Sequence, residues 1–135
     1  MNIKTTCLLT AMCLNLVAFA KDVDVSKLPP PSDRKDVTYQ NDIKPILEQS
    51  CVKCHGVQKP KAKLRLDSLE GVLKGGEDGK VVDPGNSAKS LLVINVAHLG
   101  HEDDFMPPPN NKMKIQPLTA EQIGVIRAWI DQGAK

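Results

Sequence analysis

Residues 51–55 read Cys51-Val52-Lys53-Cys54-His55, a C-x-x-C-H sequence, and the reading of this pentapeptide decides the fold. Two cysteines three apart on a turn of helix project to one side. Each thiol can then add to one of the two vinyl groups on an edge of a porphyrin. The next residue, His55, can swing its imidazole under the ring and coordinate iron. This is the attachment signature of c-type haem. Three other readings compete. A structural disulfide leaves His55 without a role. A thioredoxin-like pair wants a βαβ context, and none is visible. A structural zinc site needs four ligands in a tetrahedron, and no second cysteine pair follows. One covalently bound haem c, with its iron, is the favoured reading.

The flanking segments read as helices and stiff loops. Before the motif, Ile43, Ile46 and Leu47 share a helical face over residues 38–50. Pro45 sits among them, either in the first turn after an Asn41 or Asp42 cap or at a kink. After it, residues 64–74 read as a short extended piece running into a short helix. Gly75-Gly76-Glu77-Asp78-Gly79 and Asp83-Pro84-Gly85 mark tight loops. The first of these resembles a flexible turn able to approach a haem propionate, without P-loop spacing. Asn86 or Ser87 can cap one helix reaching Ala97, with Leu91, Ile94 and His98 on one side. Residues 100–117 carry four prolines and form a stiff loop. The last helix is the clearest. Thr119 caps it, Gln122 closes a capping box, and Ile123, Ile126, Trp129 and Ile130 form a stripe ending at Gly133. Gly124 inside that helix suggests close approach of another helix, and Trp129 can pack either on a porphyrin or on the N-terminal helix near Ile43 and Leu47.

Composition adds the compartment. The chain has 135 residues, a formal charge of +2 and 41% hydrophobic residues, but 14 of those lie in the first 20 positions. Residues 1–20 start with Lys4, continue through an apolar run from Cys7 to Phe19, and end in Ala18-Phe19-Ala20. This is the layout of a secretory signal peptide cut before Lys21. The run is short for a membrane span, so stable insertion after cleavage is not expected. The expected location is the periplasm or the exterior. Residues 21–36, charged and carrying three consecutive prolines, read as an extended and poorly ordered linker. The domain is expected over 37–135, with Tyr39, Phe105 and Trp129 as its only aromatics. So thin an apolar supply in so small a domain invites a prosthetic group into the core. The weak net charge gives no case for nucleic acid.

Four stretches carry a more specific likeness: DIKPILEQSCVKCHG, LRLDSLEGVLKGGEDGKVVDPGNSAKSLLV, FMPPP and LTAEQIGVIRAWIDQGA. Together they make the chain resemble a single-haem cytochrome c of the class I kind, and in detail the Planctomycete-type cytochrome c domain family. The resemblance implies an all-α, cytochrome c-like fold with N- and C-terminal helices crossing beside the haem. It also implies His55 as proximal ligand and Met106, from the Met-Pro loop, as distal ligand.

Read from the residues themselves, four side chains compete for the position opposite His55: Met106, Met113, His98 and His101. Met106 is favoured, because Pro107-Pro108-Pro109 stiffen its loop and Phe105 can keep it dry. Met113 sits between Lys112 and Lys114, a wetter place. His98 would lie at a helix end and His101 beside Glu102-Asp103-Asp104. Met/His ligation leaves no vacant coordination position and raises the haem potential, so it predicts an electron carrier and not an enzyme. The alternatives are an open-site haem peroxidase or sensor, and a docking module of a larger exported redox enzyme. Redox partner proteins are expected, with the oligomeric state left open. Lys53, Lys59, Lys61, Lys63 and Arg65 cluster around the motif and could steer an acidic one. Pro60 is the expected carbonyl acceptor for the His55 ring N–H.

Overall fold

The computed structural model describes residues 23–135, so the export segment read over 1–20 lies outside the described residues. Every regular element among them is helical and no strand occurs. The all-α expectation therefore holds. The main helices are α1 (Lys44–Ser50), α2 (Val52–His55), α3 (Leu69–Lys74), α4 (Leu91–Val96) and α5 (Ala120–Asp131).

A wide π-type turn, Tyr39–Ile43, leads into α1. Its cap is Thr38 rather than Asn41 or Asp42. The Thr38 hydroxyl accepts from Asn41 N–H at 3.3 Å, while Asp42 accepts from Thr38 N–H at 2.8 Å. Pro45 then falls in the first turn of α1, where a missing N–H costs least. Cys51 ends α1 by donating to Leu47 O at 2.8 Å. Its own carbonyl starts α2, accepting from Cys54 and His55 N–H at 3.0 and 2.9 Å.

The region expected as one helix from Asn86 or Ser87 to Ala97 divides instead. A 3-10 turn covers Ser87–Lys89, Ser90 is extended, and α4 restarts at Leu91. The cause is tertiary. Asp131 at the end of α5 accepts from both Ser87 N–H and the Ser87 hydroxyl, at 2.8 and 3.0 Å. Ser90 Oγ meanwhile donates to Asn86 O and accepts from Asp83 N–H. The restart changes the helical phase. Leu92, Val93 and Val96 are buried, whereas Leu91, expected inward, is 47% exposed.

The last helix forms as its sequence says. Thr119 Oγ1 accepts from Gln122 N–H at 3.2 Å and Gln122 Oε1 accepts from Thr119 N–H at 2.9 Å. At the other end Gly133, with φ +104°, turns the chain. Gly133 N–H reaches Ile130 O and Ala134 N–H reaches Trp129 O, the pair of bonds that defines a Schellman cap. Ile126, Trp129 and Ile130 are fully buried with Ile43 and Leu47. Trp129 meets Tyr39 with ring centroids 6.0 Å apart. Truncating a buried Trp of this kind costs about 3–5 kcal/mol.

The expected loose linker does not hold for residues 28–34. Leu28 is buried, Ser32 N–H donates to Gly124 O at 2.9 Å, and Arg127 donates to Pro29 O. Gln132 Nε2 donates to Arg34 O at 2.8 Å. The arm lies along α5, and Gly124 makes room for it: a Cβ there would meet Pro30 O at 2.8 Å. The close approach read into Gly124 is thus real, but its partner is the arm and not a helix. A proline-rich extended segment makes few bonds within itself, so its carbonyls remain available to a neighbouring helix.

Candidate haem site

A cavity of about 510 Å³ lies beside α2, within the range of small-molecule and cofactor sites. Cys51, Cys54 and His55 line one side with Leu64 and Leu66. Leu92 and Val96 of α4, Asn95, Val81 and the loop residues Met106 and Met113 line the rest. The walls are mainly hydrocarbon. The four residues singled out from the sequence, Cys51, Cys54, His55 and Met106, therefore face one space.

The two thiols are not joined to each other. Cys51 is buried, and burial first, then the Cys54 charge, pushes its pKa up to about 12. Such a thiol stays protonated at neutral pH and is a poor redox nucleophile. This argues against a working dithiol pair. Among the described residues no group of three or more His, Cys, Asp or Glu side chains converges, so a four-ligand zinc set is not assembled.

His55 is 8% exposed. Its Nδ1 lies 3.2 Å from Leu64 O, and since a carbonyl can only accept, Nδ1 carries the proton. The Nε2 lone pair is left for a metal. Burial lowers the pKa of the ring, opposed by its bonds to backbone at Leu64 and Lys61, so the neutral form is held. The acceptor is Leu64 and not Pro60. Pro60 O is engaged by Lys63 N–H at 3.0 Å. Lys59, Ala62 and Lys63 all adopt positive φ and coil the segment so that Leu64 O is the carbonyl beside the ring. Three non-glycine residues in that region cannot be foreseen from sequence.

Also in the lining, Met106 donates its backbone N–H to Asn95 O at 3.0 Å, which ties the loop to the end of α4. Asn111 clips the same loop: its Nδ2 donates to Pro108 O and Ile115 O, both at 2.9 Å, and its Oδ1 accepts from Ile115 N–H at 2.8 Å. Met113 also lines the cavity but is 52% exposed. His98 and His101 do not line it. The His98 ring is stacked on Phe105, with centroids 4.8 Å apart and planes 3° apart. His101 is exposed and faces Asp103. Of the basic cluster, Lys63 and Arg65 pair with Glu77 and Asp67, while Lys53, Lys59 and Lys61 are exposed. The glycine-rich turn does not line the cavity; it packs on residues 62–64. Sequence reasoning missed Leu64 O, Asn95 and Asn111. Asn111 carried a signal, because an Asn in a proline-rich loop commonly bonds nearby backbone.

The residues fit a haem bound by two thioethers. Two thiols three residues apart, an imidazole whose Nδ1 is committed to a carbonyl, and a thioether in the same mainly apolar lining are the groups such a haem uses. An all-helical chain built around a C-x-x-C-H turn in this setting resembles the cytochrome c type, a class of haem-binding electron-transfer domains. The family described as Planctomycete cytochrome C matches residues 51–110, a span that holds the motif and Met106, and this bears out the family read from the sequence. No curated protein and no solved structure matches the chain. No helix among the described residues is long and apolar enough to cross a membrane.

Proposed function

We propose that the protein is an exported single-haem c-type cytochrome, a carrier of one electron between redox partners rather than an enzyme. The observation that carries the proposal is the common cavity of Cys51, Cys54, His55 and Met106, with His55 Nδ1 committed to Leu64 O. Bound there, haem iron supplies a one-electron couple, raised in potential by Met/His ligation. The chain's residues do the rest. Cys51 and Cys54 tether the group by one turn of helix. His55 offers Nε2 from a fixed ring orientation. Met106 approaches on a loop held by Asn95 and Asn111, so a weak thioether donor stays in place at small entropic cost. Leu64, Leu66, Leu92 and Val96 exclude water and lower the local dielectric. Ligation by both His55 and Met106 would let one electron pass with little rearrangement and would resist binding of oxygen or peroxide. In this reading the N-terminal helices and α5 cross beside the haem, and exposed Lys53, Lys59 and Lys61 favour an acidic redox partner. The compartment is the periplasm or the exterior.

The test is an absorption spectrum of protein exported from a host competent in haem attachment, oxidised and reduced, before and after acid-acetone extraction. Colour that stays with the polypeptide and a low-spin, six-coordinate spectrum are expected. Extractable or absent haem would refute covalent attachment. A high-spin, five-coordinate spectrum would favour the open-site reading.

A further inference from the structure

We propose that the Gly75–Lys80 turn is a brace that positions His55, with Gly76 as its positioning residue. The inference rests on the reading of His55 as an axial ligand. The turn lies outside the cavity, yet it is built with unusual closeness against the segment that holds the ring. Gly75 and Gly79, with φ +83° and +112°, fold it back on itself, and Gly76 and Gly79 exchange backbone bonds at 2.9 and 3.2 Å. Its outward product is one bond: Glu77 N–H donates to Ala62 O at 2.8 Å. Gly76 permits this approach, since a Cβ there would lie 2.6 Å from Ala62 O and 3.1 Å from the Leu64 Cβ. The colliding atom is backbone and has no rotamer to escape into.

The segment so gripped needs holding. Ala62 and Lys63 sit at φ +52° and +53°, a region that residues with a Cβ disfavour. Leu64 follows them directly and presents the carbonyl that His55 Nδ1 meets. The physical chain thus runs from Gly76 and Glu77, through Ala62, to Leu64 O and the imidazole. The exposed Lys63–Glu77 pair at 3.8 Å adds little to it. A firm acceptor at Nδ1 makes the ring a stronger donor at Nε2, which favours ferric iron. Displacing Leu64 O therefore shifts the couple towards the reduced form.

The experiment compares holoprotein carrying Gly76→Ala with a control, Gly85→Ala. Gly76 does not have positive φ, so its variant tests contact alone. Gly85 has φ +87° with nothing within 4 Å of an added Cβ, so its variant tests backbone strain away from the cavity. At the wild-type midpoint, Gly76→Ala is expected to raise the reduced-to-oxidised ratio about threefold, roughly 28 mV at 59 mV per tenfold. Gly85→Ala is expected to lower thermal stability without moving the potential. In wild-type protein, the Glu77 amide is expected to exchange with solvent as slowly as the Leu66 amide, although Glu77 is exposed. An unchanged potential in coloured Gly76→Ala protein, equal shifts in both variants, or fast exchange at Glu77 overturns the brace and leaves the carrier reading standing. A colourless wild-type protein removes both. If Gly76→Ala does not accumulate, the exchange measurement decides alone.

Discussion

The two walls of the cavity are built on different principles. On the Cys51–Leu66 side, three chemical groups come from five consecutive residues on a single turn, and the ring is fixed by a backbone carbonyl nine residues away. On the Asn95–Ile115 side no helix carries the candidate ligand. Met106 is held by one backbone bond to Asn95, by the three prolines that follow it, and by the Asn111 clip within its loop. In the proposed holoprotein the first wall would be anchored by two thioether bonds and by the burial of Cys51 and His55; the second is held by a few hydrogen bonds, each worth about 1 kcal/mol net. What distinguishes a carrier from a gas-binding or peroxidatic site is therefore decided on the weaker wall, while possession of a haem is decided on the stronger one.

The contrast breaks most visibly on the stronger side. The double substitution Cys51→Ala and Cys54→Ala is expected to abolish covalent haem, read as loss of peroxidase-stained colour on a denaturing gel. Retained colour would mean that another residue tethers the group. Next in size is Met106→Ala. It should keep the covalent haem, lose the thioether-to-ferric-iron absorption band, and bind carbon monoxide when reduced. Loss of a ligand bond of about 1.4 kcal/mol already implies tenfold tighter binding of the gas than in wild type. Equal binding by wild type and variant would place the distal wall in the open-site class.

The asymmetry also explains what could be read in advance. The motif wall was legible because its chemistry is contiguous, and α5 was legible because its cap, stripe and terminal glycine are local signals. Ser90 was not: its extended backbone answers to bonds between Ser87 and Asp131, 44 residues apart. Nor was the His55 acceptor, which depends on left-handed backbone at Ala62 and Lys63 that no residue type announces. The packed arm escaped for a related reason. Prolines and charges describe a segment with little structure of its own, but Leu28 is buried in the core, Pro29 O accepts from Arg127 of α5, and Ser32 N–H donates to Gly124 O. Of the four distal candidates, sequence alone could not remove the histidines. In the structure neither lines the cavity that Met106 and Met113 line.

The weaker wall has its own internal test in Asn111→Ala. Three side-chain bonds are lost, one of them to the partly buried Ile115 N–H. The expected cost is about 1–3 kcal/mol. The thermal midpoint should fall by about 4–8 °C per kcal/mol for a domain of this size. Because Met106 itself remains, the thioether band should persist while carbon monoxide binds faster than in wild type and more slowly than in Met106→Ala. An unchanged gas-binding rate would show that the prolines and Asn95 suffice to hold the ligand.

The smallest expected effect is the most discriminating for the assignment of the distal residue. Met113 shares the cavity with Met106, and only its 52% exposure and its lysine neighbours set it apart. Met113→Leu preserves volume and apolar character while removing the sulfur. At a half-exposed position such a change costs no more than about 0.5 kcal/mol. The absorption band, the potential and the inertness to carbon monoxide should therefore all match wild type. If the band vanishes in Met113→Leu and survives in Met106→Ala, the two methionines exchange roles. Ligation would then come from the loop segment that Asn111 clips, and the Asn95–Met106 bond would be scaffolding for the wall and not for the ligand.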